Sequence, residues 1–118
     1  MTDKRGDQTF RANSNKERWP EMTYGGALSF GRRRYSRDLA NVDVVINGIP
    51  YDNAVTYRPG TRLGPRAIRA GSVQLTELKH FPTGIEPCEE LSVIDYGDCM
   101  INPHDPTSIF DTIEAHAD

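Results

Sequence analysis

Residues 42–78, VDVVINGIPYDNAVTYRPGTRLGPRAIRAGSVQLTEL, carry most of the architectural information in this chain. Val44, Val45 and Ile46 form a short β-branched run without charge. Such a run predicts a strand buried on both faces, as in a parallel sheet. The chain turns at Gly48-Ile49-Pro50, and a loop runs on through Tyr51, Asp52, Asn53, Tyr57, Arg58, Pro59, Gly60 and Arg62. At Gly64-Pro65 a helix is expected, because proline at the first helical position gives up an N–H that has no intrahelical acceptor. Ile68, Gly71, Leu75 and Leu78 then recur at spacings of three and four, which predicts one apolar stripe against the sheet, with Arg66 and Arg69 off it. Strand, loop and helix in this order read as the first half of a βαβ crossover.

The loop exceeds the two to six residues usual for a βα connection. Long loops of this kind inside compact domains serve function or are disordered, and Gly48, Pro50, Pro59, Gly60 and Gly64 argue for a specified conformation. It also leaves the C-terminal end of a strand, where open α/β sheets bind ligands. GIPYDNAVTYRPGTRLGPRAIRAGS resembles the amino-terminal signature of the ureohydrolases, the arginase and agmatinase superfamily, and is most similar to its agmatinase-like branch. YGGALSFGRRRYSRDL (residues 24–39) and LSVIDYGD (residues 91–98) resemble the same branch. The likeness covers most of the chain from Tyr24 onward.

The resemblance implies the amino-terminal part of a three-layer α/β/α parallel-sheet fold, incomplete within 118 residues. It implies hydrolysis of a guanidino group to urea and an amine by a bridging hydroxide shared between two Mn²⁺ ions. Two metals lower the pKa of water and orient its attack on a poor electrophile, and histidine and carboxylate ligands suit Mn²⁺. The family's GGDHS and SxDxD segments are absent from this sequence, so metal and catalytic residues are expected outside it. EAHAD (residues 114–118) resembles the family's DAHxD ligand segment. SIFDTI before it has helical spacing, however, which makes Glu114, His116 and Asp118 the polar face of a terminal helix. His80 and His104 read as loop histidines without partners at metal-ligand spacing.

The first loop holds the best site candidates. Asp52, Asn53 and Tyr57 are expected to face a guanidino substrate or its amine tail. Arg58 and Arg62 are expected to anchor the loop or a subunit interface by bidentate pairing, since their charge would repel a cationic substrate. Asp95 and Asp98 flank the end of the second strand and invite an acid–base assignment. Aspartates there more often fix turns through nearby backbone N–H groups, and that reading is preferred.

Around this centre, residues 1–22 are polar and aperiodic and read as an arm, with 23–118 forming the ureohydrolase-like unit. Phe10 and Trp19 either anchor the arm, on its own domain or on a neighbouring subunit, or belong to a frayed terminus. Arg32, Arg33, Arg34 and Arg37 lie in a chain of net charge −3. They read as a surface or subunit-contact segment paired with carboxylates rather than as a nucleic-acid face, which requires a sustained basic surface. Leu91, Val93 and Ile94 predict a second strand parallel to the first, and residues from Thr107 onward predict a helix with Ser108 or Thr107 as N-cap. No apolar run approaches the roughly 20 residues of a bilayer span, and the first residues lack the apolar core of a secretory signal. With Cys88 and Cys99 read as reduced thiols, a cytoplasmic setting is expected. Agmatine or guanidinobutyrate is the expected substrate and a homo-oligomer the expected parent. The alternative is a non-enzymatic binding module derived from a ureohydrolase that docks on a full-length enzyme.

Overall fold

The computed structural model describes residues 8–11, 14–16, 22–75 and 78–118. Trp19 and part of the polar arm lie outside them. A helical turn α1 (Gln8–Arg11) leads to a tight turn at Phe30–Arg32 and then to strands β1 (Arg34–Tyr35) and β2 (Val44–Gly48). A second tight turn, Thr61–Leu63, runs into helix α2 (Gly64–Ser72). Helix α3 (Pro87–Glu90), strand β3 (Val93–Asp98) and helix α4 (Ile109–Ala117) complete the described order.

The strands form a parallel sheet in the order β1-β3-β2. Val45 pairs with Ile94 and Ile46 with Asp95, and the register slips by one residue between Ile46 and Asn47. The crossover from β2 through α2 to a parallel β3 is the one the spacing predicts. Burial differs from that prediction. The strand enclosed on both sides is β3, where Val93, Ile94 and Asp95 are buried. Val45 in β2 is exposed, because β2 has a neighbour on one side only among the described residues.

Successive side chains of a strand point to opposite faces, and β3 uses both. Asp95 turns toward α2, where Arg69 meets it, and Tyr96 turns toward α4, where its ring meets His116 edge-on at 5.5 Å. Helices therefore cover the two faces of the sheet.

Helix α2 begins at Gly64 with Pro65 in its first turn, as expected. Its buried residues are Arg69 and Ser72, followed by buried Val73 just past its end, not Ile68, Gly71, Leu75 and Leu78. Ile68 is 60% exposed and Leu75 66%, whereas Arg69 is 7% exposed. Within the helix the buried side is rotated by about one residue, roughly 100°, and the helix ends at Ser72, short of the Leu75 and Leu78 expected to continue it. The cause is what lies beneath the helix: the fully buried Asp95 carboxylate, whose burial requires a cationic partner, with the partly exposed Asp98 beside it. The displaced apolar side chains, with Phe30 and Pro87, line an open groove of about 440 Å³.

The arginine-rich segment also differs from its reading as a surface segment. Arg32 and Arg33 are buried. Arg32 donates to the carbonyls of Met22 and Gly25, and Arg33 donates to those of Lys16 and Cys88. Guanidinium groups thus gather backbone oxygens from four separate places in the chain. Residues of the arm also contact the sheet: Phe10 packs edge-on against Tyr35 at 5.5 Å, and the Val93 N–H donates to the carbonyl of Asn15.

Candidate functional site

The loop after β2 begins beneath a close approach. A Cβ on Gly48 would run into Asp98 Oδ1 and come within 2.8 Å of Pro65 Cβ, so only glycine lets β2, β3 and α2 converge there. Four residues on, the Asp52 side chain is 0% exposed. Its Oδ2 accepts the Gly60 N–H at 2.7 Å and the Arg62 N–H at 3.3 Å. Its Oδ1 accepts Arg62 Nε and lies in ion-pair contact with Nη2 of the same fork. Burial pushes the Asp52 carboxyl up. The Gly60 and Arg62 N–H groups and the Arg62 guanidinium outweigh that and hold it below the ordinary carboxylate range. Gly60 closes the loop at φ +131°, a backbone conformation that favours glycine.

The residues between these ends are exposed. Tyr57 is 81% exposed, and the Arg58 guanidinium rests 5.0 Å from its ring centroid. Asn53 is exposed beside the loop's neck. Of the candidates, Asn53, Tyr57 and Arg58 thus stand on the outer loop, while Asp52 and Arg62 join to each other at its base.

A second polar centre lies at the ends of α2 and β3, and the sequence did not reveal its key residue. Arg69 grips Asp95 with two bonds, Nε to Oδ2 at 2.7 Å and Nη2 to Oδ1 at 2.9 Å. Its Nη1 reaches Asp98 Oδ1 at 2.7 Å. Asp95 also accepts the Phe30 N–H at 2.7 Å and the Gly97 N–H at 2.9 Å. The bond to Gly97 differs from the strand-end turn expected of this aspartate: both residues lie within β3, and the bond spans the point where the register slips. With Arg69 in place, both oxygens of Asp95 are occupied by structural bonds. The bonds to Asp95 drive the Arg69 guanidinium further above its already high ordinary value, and those to Asp98 add to this against the opposing effect of burial. A signal for Arg69 was present in the sequence: Ser72 and Val73 lie three and four residues on, and two aspartates close the next strand.

EAHAD is helical. Glu114 and His116 lie in α4 with Asp118 at its end, and the His116 ring packs on Tyr96. His80 Nδ1 is bonded to Thr83 Oγ1 at 2.9 Å, and His104 is held in a turn by Asn102. The described residues do not fit a Mn²⁺ pair. Among them no three histidine, cysteine, aspartate or glutamate side chains gather to hold a metal ion, and Asp95 and Asp98 are taken by Arg69.

A parallel sheet with helices on both faces, and a long loop leaving a strand's C-terminal end, defines an α/β protein, and open sheets of this class bind ligands at that edge. Comparison with known proteins narrows the class. Residues 42–118 match the model of the arginase family. The agmatinase of Chromobacterium violaceum is 58% identical over 97 residues, covering 82% of this chain and 30% of that protein. The agmatinase of Neisseria meningitidis serogroup C is 43% identical over 79 residues, covering 66% of this chain and 26% of that protein. The X-ray crystal structure of a hypothetical agmatinase from Burkholderia thailandensis superposes with a TM-score of 0.88 at 53% identity, covering 95% of this chain and 35% of that one. The chain belongs to the arginase family, and its likeness is to the amino-terminal part of agmatinases. It spans about a third of the length of the relatives it matches.

Proposed function

We propose that this chain supplies the amino-terminal part of a ureohydrolase that hydrolyses the guanidino group of agmatine or guanidinobutyrate to urea and an amine. The observation that carries the reading is the ordered loop at the C-terminal end of β2 in a chain 58% identical to an agmatinase. In this reading Asn53 and Tyr57 stand at the substrate's end of the sheet. The Asn53 amide offers a carbonyl acceptor to a cationic guanidinium or ammonium group, and the Tyr57 ring offers an aromatic face. The manganese that the family implies is assigned to segments outside residues 1–118, because the described residues gather no three potential ligands and Asp95 and Asp98 are held by Arg69. The working protein is a cytoplasmic homo-oligomer, with Arg58 as the loop residue placed to meet a neighbouring subunit.

Urea release tests the assignment. A protein joining this chain to the rest of a ureohydrolase sequence, supplied with Mn²⁺, is expected to release urea from agmatine or guanidinobutyrate and much less from arginine. The 118-residue chain alone is expected to release none. Absence of urea from every guanidino compound in the joined protein would overturn the reading, and turnover by the chain alone would overturn the placing of the metal site.

A further inference from the structure

We propose that Asp52 is a positioning residue, a clasp at the neck of loop 53–59 that holds the loop in its presenting shape without itself touching substrate. The substrate half of this statement rests on the function proposed above. A carboxylate offers about four lone-pair positions. The Asp52 oxygens meet four donors: the Gly60 N–H, the Arg62 N–H, Nε and Nη2. With the side chain fully enclosed, no acceptor direction remains for a guanidinium or ammonium group from outside.

The same bonds carry the loop's shape. Among the described residues, positions 53–59 make a local turn at Asn53-Ala54 and no side-chain hydrogen bond to the rest of the molecule, and the ring contact within them is the Arg58 guanidinium over the Tyr57 ring. The chain leaves at Asp52 and returns at Gly60, so one side chain brings together the ends of a seven-residue excursion. Compact loops with adjoining ends are a recurrent way to mount functional side chains. Here the mounting depends on a charge-assisted fork, which fixes direction as well as distance. Asn53 is attached directly to the clasp and Tyr57 lies at mid-loop. Opening the clasp would therefore displace both while leaving β2 paired with β3 as before.

The direct-contact and clasp roles diverge for Arg62→Ala, which frees an oxygen of Asp52. The joined ureohydrolase is assayed with agmatine, and amide exchange at Gly60 is measured alongside. The clasp role expects Arg62→Ala to raise KM about tenfold, the scale of one lost charged hydrogen bond, with kcat within about threefold. Arg62→Lys should recover part of the loss, and Asp52→Ala should exceed it and speed Gly60 exchange at least about tenfold while Ile94 exchange holds. An unchanged or lowered KM in Arg62→Ala, with only Asp52→Ala impaired, would make Asp52 a direct substrate ligand and overturn the proposal. Gly60 exchange as fast in the wild-type chain as in Asp52→Ala would also overturn it. Because the exchange readout requires no turnover, a protein that released no urea would refute the proposed function and leave the clasp to be judged on Gly60 alone.

Discussion

Replacing Arg69 by alanine should destabilise the fold far more than placing a charge at Leu75, although an apolar-stripe reading of α2 orders them the other way. Arg69→Ala strands Asp95, which is 0% exposed and would keep two of its four donors, the Phe30 and Gly97 N–H groups. Removing one partner of a buried ion pair costs about 3–5 kcal/mol. The retained backbone bonds and the partly exposed Asp98 place this case near the lower end, about 3 kcal/mol, a large fraction of the 5–15 kcal/mol that stabilises a typical domain. Leu75 is 66% exposed, so about a third of the roughly 1.5–3 kcal/mol for burying a leucine is at stake, below about 1 kcal/mol for Leu75→Asp. Urea unfolding followed by circular dichroism measures both. A third variant, Arg69→Met with Asp95→Asn, removes the stranded charge and should recover more than half of the loss, since neutral replacements of buried pairs are often tolerated. A cost below about 1 kcal/mol for Arg69→Ala, or a larger one for Leu75→Asp, would refute the placing of Arg69 beneath the helix.

Gly48→Ala should destabilise by about 1–3 kcal/mol, the range for overpacking a close contact, because its Cβ would displace the Asp98 carboxylate that Arg69 holds; a thermal midpoint within one degree of wild type would count against it. Pro65→Ala should cost less than about 1 kcal/mol, since the first helical turn has no use for that N–H and alanine is a strong helix former; a larger loss in the same thermal scan would mean that the proline ring itself packs. The Asp52 carboxyl lies below its ordinary value, so its contribution to the loop is present above the unfolded pKa of about 3.9 and lost as pH falls through the lower folded value. The Gly60 amide resonance should accordingly stay constant from neutral pH down to about pH 4 and shift only in stronger acid. A shift centred near pH 5–6 would mean that the carboxyl is not held by Arg62.

What the sequence made legible and what it hid divide along the reach of the interactions. The parallel β2–α2–β3 crossover, the helix start at Gly64-Pro65 and the helical character of EAHAD follow from periodicity and neighbouring residues, and the structure has all three. Strand β1 is two residues long and exists through its pairing with Ile94 and Asp95, so no local pattern could announce it. Arg32 and Arg33 looked like surface charges because their acceptors are carbonyls up to 55 residues away. At the candidate loop, Arg62 is joined to Asp52 ten positions earlier, a pairing that no local pattern in the sequence announces. Helix α2 states the limit most clearly. In the sequence two patterns of equal period start in this helix and run past its end at Ser72, one apolar through Ile68, Leu75 and Leu78, the other through Arg69, Ser72 and Val73, and periodicity cannot choose between them. The choice rests on Asp95 and Asp98, 26 and 29 residues downstream of Arg69. A buried carboxylate without a partner costs more than an exposed leucine forgoes. The ionic stripe therefore takes the sheet, and the apolar one is left facing the open groove.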